Sequence, residues 1–334
     1  MTKNTPLKIF VTGANGMLGT AVCSILIDQG HSVKALCLKG TETNTLRNIG
    51  VSICMGDILN YPLLVKEMES SEYVIHIAAL TSTWPSRNNR VVEVNVNGCK
   101  NVMKAAKHWN YRRMVYVGSA SSFQYGTLER PGTEKSPFKG WDQRLDYIDS
   151  KYYAQEMLLD AYKNEGFPAL IINPTFMIGP YDSGPTSGTV LLNLYKGRVP
   201  GYSGGGKNFV YSLDVATAIV NALTMGRIGE CYIAGNINLT YGEFFSKAAN
   251  VMSKKMHLIK FPDWMIYTIG KINSTYALVS GRPPKLSYEV AKIASKYHGF
   301  SAAKAVKELH MPQTDIELAI EESVRWFKEN SYLD

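Results

Sequence analysis

The sequence predicts an α/β protein: a doubly wound parallel sheet with a smaller α/β lobe, mostly C-terminal. Three observations lead there. Apolar, strand-like runs alternate with stretches of helical apolar spacing through residue 172. The first strand-to-helix junction is rich in glycine. Past Pro174 the composition shifts to Gly, Pro, Ser and Tyr, which reads as loops around one short helix, Val190 to Tyr195. A chain of 334 residues that is 45% apolar can bury a sizeable core, as one large unit or two joined lobes.

The first element is Ile9-Phe-Val-Thr-Gly-Ala-Asn-Gly-Met-Leu-Gly-Thr20. Ile9, Phe10 and Val11 read as a buried strand. Gly13, Gly16 and Gly19 mark a turn. Met17, Leu18, Ala21, Val22, Ile25 and Leu26 then recur at helical spacing. Glycine lets a backbone turn sharply and approach a ligand, and a helix N-terminus offers N–H groups to an anion. Strand, glycine turn and helix therefore form a cradle for a pyrophosphate. The spacing is G-x-x-G-x-x-G. A turn that merely packs a helix on a sheet is the plainer alternative.

Gly30 to Cys37 reads as the second strand. A dinucleotide fold places the adenosine ribose at its end, where a carboxylate would repel a 2′-phosphate. The end reads Cys37-Leu38-Lys39 and has no acid, so NADP is expected in preference to NAD, with Lys39 as a phosphate partner. Val51 to Asp57 is a third strand. Asp57 is placed at the adenine edge or as a cap for the next helix.

Tyr73 to Ala79 is a fourth strand, running into the small residues Ala78 and Ala79, which allow a cofactor close to the backbone. His76, between Ile75 and Ile77, reads as a core histidine. The polar Thr81-Ser-Thr-Trp84 could meet substrate. Val91 to Trp109 has helical spacing, and Tyr111 to Val117 gives a fifth strand. That strand ends in the hydroxyl-rich turn Gly118-Ser-Ala-Ser-Ser-Phe-Gln-Tyr-Gly126, at the end of the sheet where ligands bind.

Tyr147-Ile-Asp-Ser-Lys151 opens a further helix and puts Tyr147 and Lys151 on one face. An ammonium beside a phenol favours the phenolate and draws its pKa down from ~10, making the tyrosine a usable acid or base. Phe209 to Leu223 is expected to return to the first unit, with Asp214 capping a helix, and Cys231 opens another strand. Phe261 to Val279 is apolar and aromatic with one lysine, Lys271. It reads as a core helix or a lid over an apolar substrate, in preference to a membrane-surface helix, which needs a broader basic face. Asp315 to Lys328 is an amphipathic closing helix.

The net charge of +8 is scattered and favours anionic ligands such as phosphates over a nucleic-acid footprint. Five cysteines without metal spacing read as small buried hydrophobes in a reducing compartment. No metal site is expected. The polar N-terminus carries no secretory signal and no run spans a membrane, so the expected location is cytoplasmic. Asn273-Ser-Thr matches a glycosylation acceptor by chance.

The ordered set Thr12-Gly13-x-x-Gly16-x-x-Gly19, Gly56-Asp57, His76-x-Ala78-Ala79, Asn95-x-x-Gly98, the serine turn through Tyr125-Gly126, Tyr147-x-x-x-Lys151, Asn173-Pro-Thr with Gly179-Pro180, and Asp214-Val-Ala216 resembles the extended short-chain dehydrogenase/reductase family. The resemblance implies a Rossmann sheet over 1–172, to which 209–235 return, and a substrate lobe from 173–208 and 236–334. It implies a Ser/Tyr/Lys group. Tyr147 exchanges the proton, and Lys151 tunes it and holds the nicotinamide ribose. A serine, Ser121 by position before Gly126 with Ser119 as second choice, bonds the reacting oxygen. Asn95 supports the site. The cofactor contacts implied are Gly13, Asn15, Gly16, Met17, Leu18, Gly19, Lys39, Asp57, Ile58, Ala78, Ala79 and Pro174, besides Tyr147 and Lys151. Thr81, Ser121 and Phe176 would meet substrate.

Asn173-Pro-Thr-Phe-Met-Ile-Gly-Pro180, Gly229 to Gly235, and Phe300-Ser-x-x-Lys304-Ala are similar to the dihydroflavonol-reductase-like and 3β-hydroxysteroid-dehydrogenase-like branches. The implied activity is an NADP-dependent oxidoreductase acting on a ketone or aldehyde, or on a secondary alcohol in reverse. A nucleotide-sugar epimerase holding NAD is the alternative, and a non-catalytic NADP sensor the third. Dehydration is disfavoured, because the turn reads Ser121-Ser-Phe123 and not Thr-Asp-Glu. Relatives pair through the helices bearing Asn95 and Tyr147, which implies a homodimer.

Overall fold

In the computed structural model, which describes residues 5–333, seven parallel strands form the central sheet. Met1 to Asn4, the polar start, lie outside the described residues. Six of these strands come from the first half: β1 (Lys8–Thr12), β2 (Ser32–Cys37), β3 (Ser52–Met55), β4 (Tyr73–His76), β5 (Arg113–Val117) and β6 (Ala169–Pro174). A smaller sheet holds β7 (Phe176–Ile178), β9 (Gly206–Tyr211), β11 (Ile237–Thr240) and β13 (Tyr297–His298), while β8 (Gly201–Tyr202) pairs with β12 (Ile259–Lys260). The seventh strand of the main sheet is β10 (Cys231–Ala234), and the order is β3-β2-β1-β4-β5-β6-β10.

The main strands are continuously apolar because helices cover both faces. Alternate side chains enter different cores. Ile9 and Val11 of β1 join Val33, Ile75, Val115 and Leu170 on one face. Phe10 joins Leu36, Val74, Met114 and Tyr116 on the other. The first face is covered by the helices Met17–Asp28 and Ser212–Asn221, which pack on each other. The second is covered by Gly98–His108 and Asp146–Glu165. Order reverses between β1 and β4, and it is at the carboxyl ends of these strands that an open sheet binds ligands.

A third core lies in the second lobe, where Phe209 and Phe244 stack with centroids 4.1 Å apart. The closing helix, Ile316–Glu329, starts on Asp315, whose carboxylate accepts from the Glu317 amide at 2.9 Å.

Four expectations need correction. The helix read over 91–109 is interrupted: Asn89–Val92 is α-helical, Glu93–Asn97 is a π-helical turn and Gly98–His108 is α-helical again. Asp214 does not cap its helix, which starts after Tyr211. Its carboxylate accepts from the Thr314 amide at 2.8 Å and hydroxyl at 2.7 Å, clamping the approach to the closing helix. The stretch read as returning at 209 stays in the small sheet through Tyr211 and returns as the helix from Ser212. Finally, the 261–279 stretch is not core. It is the helix Asp263–Ser280, in which Ile266, Gly270 and Ala277 are buried and most large apolar side chains are exposed. Among the described residues no helix is long and apolar enough to cross a membrane. The five cysteines are free, and all but Cys54 are buried.

Candidate active site

The glycines of the first turn differ in what surrounds them. Gly13 has φ +69°, and a Cβ there would lie 2.6 Å from the Ala78 backbone nitrogen. A Cβ on Gly19 would lie 2.1 Å from the Gly13 carbonyl oxygen. These two glycines let β1, β4 and the first helix close on one another. Gly16 differs: the nearest atom to an added Cβ, the Gly13 carbonyl oxygen, is 3.7 Å away, an ordinary van der Waals contact, so this position has room for a side chain. Gly16 is also the N-cap of the helix Met17–Asp28, whose first turn has no acidic side chain. The leading amides, at Met17 and Leu18, have no intrahelical acceptor and suit an anion.

At the adenosine end, Lys39 is exposed just beyond β2. The carboxylate of that loop, Glu42, accepts from the Asn44 amide at 2.5 Å, and the Glu42 carbonyl accepts from Asn15 Nδ2 at 3.4 Å. Asp57 accepts from the Leu59 amide at 2.9 Å and sits 3.4 Å from Arg90. It does not cap the next helix; Asn60 does, accepting from the Leu63 amide at 3.1 Å. Ile58 is buried against Gly98.

Below the turn, Thr12 Oγ1 lies 2.7 Å from His76 Nδ1 and accepts from the Ala78 amide at 3.3 Å. His76 is a buried core histidine, as its flanks predict. Burial, and the nearby Lys151 charge, lower its pKa to about 3, so the ring stays neutral.

The hydroxyl groups meet at the end of β5. Tyr147 is the second residue of the helix Asp146–Glu165, and its hydroxyl hydrogen-bonds to that of Ser119. Ser119 Oγ lies 2.8 Å from Ser121 Oγ. The structure thus places Ser119 against the phenol and Ser121 one hydroxyl further on. Burial raises the Tyr147 pKa above its ordinary value, and the bond with Ser119 opposes this. This corrects the expectation that Lys151 draws it down. Lys151 Nζ instead donates to the Val117 carbonyl at 2.8 Å and stands 5.2 Å from the Tyr116 ring centre. Burial lowers the Lys151 pKa to about 8.

Asn95 sits buried in the π-helical turn. It accepts from the Leu80 amide at 2.7 Å, and its Nδ2 donates to the Leu80 carbonyl at 3.0 Å and to Ser150 Oγ at 2.9 Å. Pro174 is buried at the end of β6. Thr81 is exposed after β4, and Phe176 is half-buried at the start of β7. Among the described residues no cluster of acidic, histidine or cysteine side chains could hold a metal.

Three groups escaped the sequence reading. Asn173 Nδ2 donates to the Ser119 carbonyl at 3.0 Å and to Gln155 Oε1 at 2.9 Å, pinning the serine turn. Gln155 had a signal: with Tyr147 and Lys151 it continues an i, i+4, i+8 stripe. Arg87 bonds Asp146 and Asp149, each at 2.7 Å, and ties the polar loop after β4 to the Tyr147 helix. The long sequence separation hid this. In the second lobe Lys207 Nζ stands 4.6 Å from the Phe176 ring centre, with no carboxylate partner among the described residues. Burial lowers its pKa to about 8.

Comparison with known proteins identifies the family. Residues 9–237 match the NAD dependent epimerase/dehydratase family. A Synechocystis protein named for dihydroflavonol 4-reductase is 27% identical over 342 residues, spanning 97% of this chain and 95% of its own. Sterol demethylase protein B of Methylococcus capsulatus is 24% identical, spanning 98% and 100%. The crystal structure of gox2253 superposes with a TM-score of 0.86 at 27% identity, covering 98% and 99%. UDP-glucose 4-epimerase of Thermotoga maritima shares the fold, with a TM-score of 0.78 at 17% identity over 97% and 99%. The chain belongs to the NAD dependent epimerase/dehydratase family and is an NAD(P)-dependent enzyme of the extended short-chain dehydrogenase/reductase type.

Proposed function

We propose that the chain is an NADP-dependent reductase acting on the carbonyl carbon of a ketone or aldehyde, or on a secondary alcohol in reverse. The observation that carries this reading is the hydroxyl chain Tyr147–Ser119–Ser121 at the end of β5, beside the buried Lys151. When bound, the nicotinamide supplies the hydride. Tyr147, kept protonated by burial, gives its proton to the substrate oxygen. Ser119 holds the phenol in line, and Ser121 extends the chain towards the second lobe's substrate side. Lys151 places a cation beneath the site, where charge develops on oxygen. Thr81 and Phe176 border the space left for substrate.

NADP is favoured because the end of β2 offers Lys39 and no free acid, the Glu42 carboxylate being turned onto a backbone amide. The homodimer would use the helical segments bearing Asn95 and Tyr147, Glu93–Asn97 and Asp146–Glu165, the latter exposing Tyr153 and Tyr162.

The test is fluorescence titration with NADPH and NADH, alongside Lys39→Ala. Tight NADPH, weak NADH and a loss confined to NADPH in the variant are expected. NADPH oxidation is then screened against carbonyl compounds, with Tyr147→Phe inactive. Preference for NADH would remove the Lys39 argument. Interconversion of UDP-sugars by protein that carries NAD would replace the reductase reading with an epimerase.

A further inference from the structure

The helix Asp263–Ser280 presents its apolar side chains to water. Ile266, Gly270 and Ala277 lie on one side and are buried, facing the helix Tyr288–Ala294. On the other side stand Trp264, Ile272, Tyr276, Leu278 and Val279, with exposures of 66, 62, 66, 75 and 85%. A water-facing helix surface ordinarily carries its charges there. Between Trp264 and Val279 the one charged side chain is Lys271. Thr268, Lys271 and Thr275 share this side, so the exposed surface is mostly apolar with three polar interruptions, and an exposed apolar patch of this kind marks an interaction site.

Charge says what covers it. Lys260, Lys271, Arg282 and Lys285 are exposed on this helix or within five residues of its ends, and none has an ion-pair partner among the described residues. Asp263 is the one carboxylate between residues 252 and 288. The segments flanking the helix thus supply the basic rim that the helix itself lacks. Trp264 and Tyr276 add the amphipathic rings that settle at a polar–apolar boundary.

We propose that this face docks on an anionic lipid bilayer, with the helix lying in the plane of the headgroups. The apolar side chains enter the acyl boundary while the cations meet lipid phosphates. The helix is about 27 Å long by its rise of 1.5 Å per residue, and it lies along the surface without crossing. A second copy of the chain is a poorer occupant. A two-fold contact through this face would bring the basic rims together. The docking face uses none of the residues assigned to the Tyr147 site, so the proposal stands or falls independently of the reductase reading.

The test is co-sedimentation of the full chain with vesicles of phosphatidylcholine, with and without phosphatidylglycerol. Binding to the anionic vesicles that weakens with salt is expected. Ile272→Asp with Val279→Asp lowers the partition coefficient at least about tenfold. Lys271→Glu, Arg282→Glu and Lys285→Glu together lower it on the order of a hundredfold. All of these side chains are exposed, so circular dichroism and the melting temperature stay at parent values. Absence of binding to phosphatidylglycerol vesicles overturns the proposal. So does binding that the aspartate pair leaves unchanged, or equal binding to neutral vesicles. Self-association in the ultracentrifuge that the aspartate pair abolishes, without vesicle binding, assigns the face to a second copy instead.

Discussion

Asn95 Nδ2 donates to Ser150 Oγ at 2.9 Å, and Ser150 Oγ donates in turn to the Tyr147 carbonyl at 2.9 Å. The π-helical turn is thereby tied to the first turn of the helix that carries Tyr147, the proposed proton donor. The wider turn sets Asn95 inward, where it also satisfies both backbone groups of Leu80. Asn95→Ala leaves these half-buried groups without their side-chain partner. It is expected to cost about 2–4 kcal/mol of stability and to lower kcat with little change in cofactor affinity. Denaturant unfolding and steady-state kinetics check both parts.

Tyr147→Phe removes the proposed proton donor and leaves the glycine turn untouched. A loss of ~10²- to 10⁴-fold in kcat is expected, with NADPH titration unchanged. Because burial raises the Tyr147 pKa, the phenol keeps its proton through neutral pH. Reduction should therefore hold a flat kcat/KM up to about pH 8, where Lys151 loses its charge. Oxidation of an alcohol, which needs the phenolate, should climb as pH rises. A pH profile in each direction reads the difference.

Gly13 and Gly16 should respond oppositely to one added methyl. Gly13→Ala meets the Ala78 backbone at 2.6 Å in a left-handed conformation, and at least about 2 kcal/mol of stability is lost. Gly16→Ala has extended backbone and room for a methyl group, so stability stays within about 1 kcal/mol of the parent. Its methyl group occupies the phosphate approach, so NADPH affinity falls. Thermal unfolding paired with cofactor titration separates the two effects.

Lys207→Leu should stabilise the protein at neutral pH. Burial holds the Lys207 pKa near 8 when folded, against an ordinary value of 10.5. Below pH 8 the folded lysine is charged and the burial penalty is complete. Between these values the unfolded chain binds the additional proton, so parent stability rises with pH. The variant's advantage, on the order of 1–3 kcal/mol at pH 7, should shrink as pH passes from 8 towards 10. Melting temperatures across that range check the sign.

The main sheet was legible because each strand is a short apolar run and each covering helix keeps its spacing. The glycine turn and the Tyr147 helix were legible for the same local reason. The π-helical turn was not, since one additional residue per turn barely disturbs apolar periodicity over 91–109. The serine nearest Tyr147 could not be fixed by spacing, because Ala120 to Ser122 coil as a short 3₁₀ turn that brings Ser119 forward. The outward face of Asp263–Ser280 was misread for a physical reason. Apolar content records what a helix can bury, and tertiary structure decides which side does so. The Arg87 and Lys207 contacts join distant segments, and pattern alone cannot pair them.

The sheet's last strand has a consequence for how the protein is made. β10 pairs with β6 only after the intervening lobe segment has been synthesised, and the Ser212–Asn221 helix that covers Met17–Asp28 arrives in that same interval. A ribosome adding ~5–20 residues per second leaves the β6 edge unpaired for roughly 3–11 s, and the first helix, complete at Asp28, uncovered for roughly 10–40 s. During that time the nascent chain displays a sticky strand edge beside bare apolar surface. The interval is long enough for a chaperone to engage, and for neighbouring chains on one message to cross-pair. Slowing translation downstream of β6 would lengthen this exposure, not relieve it.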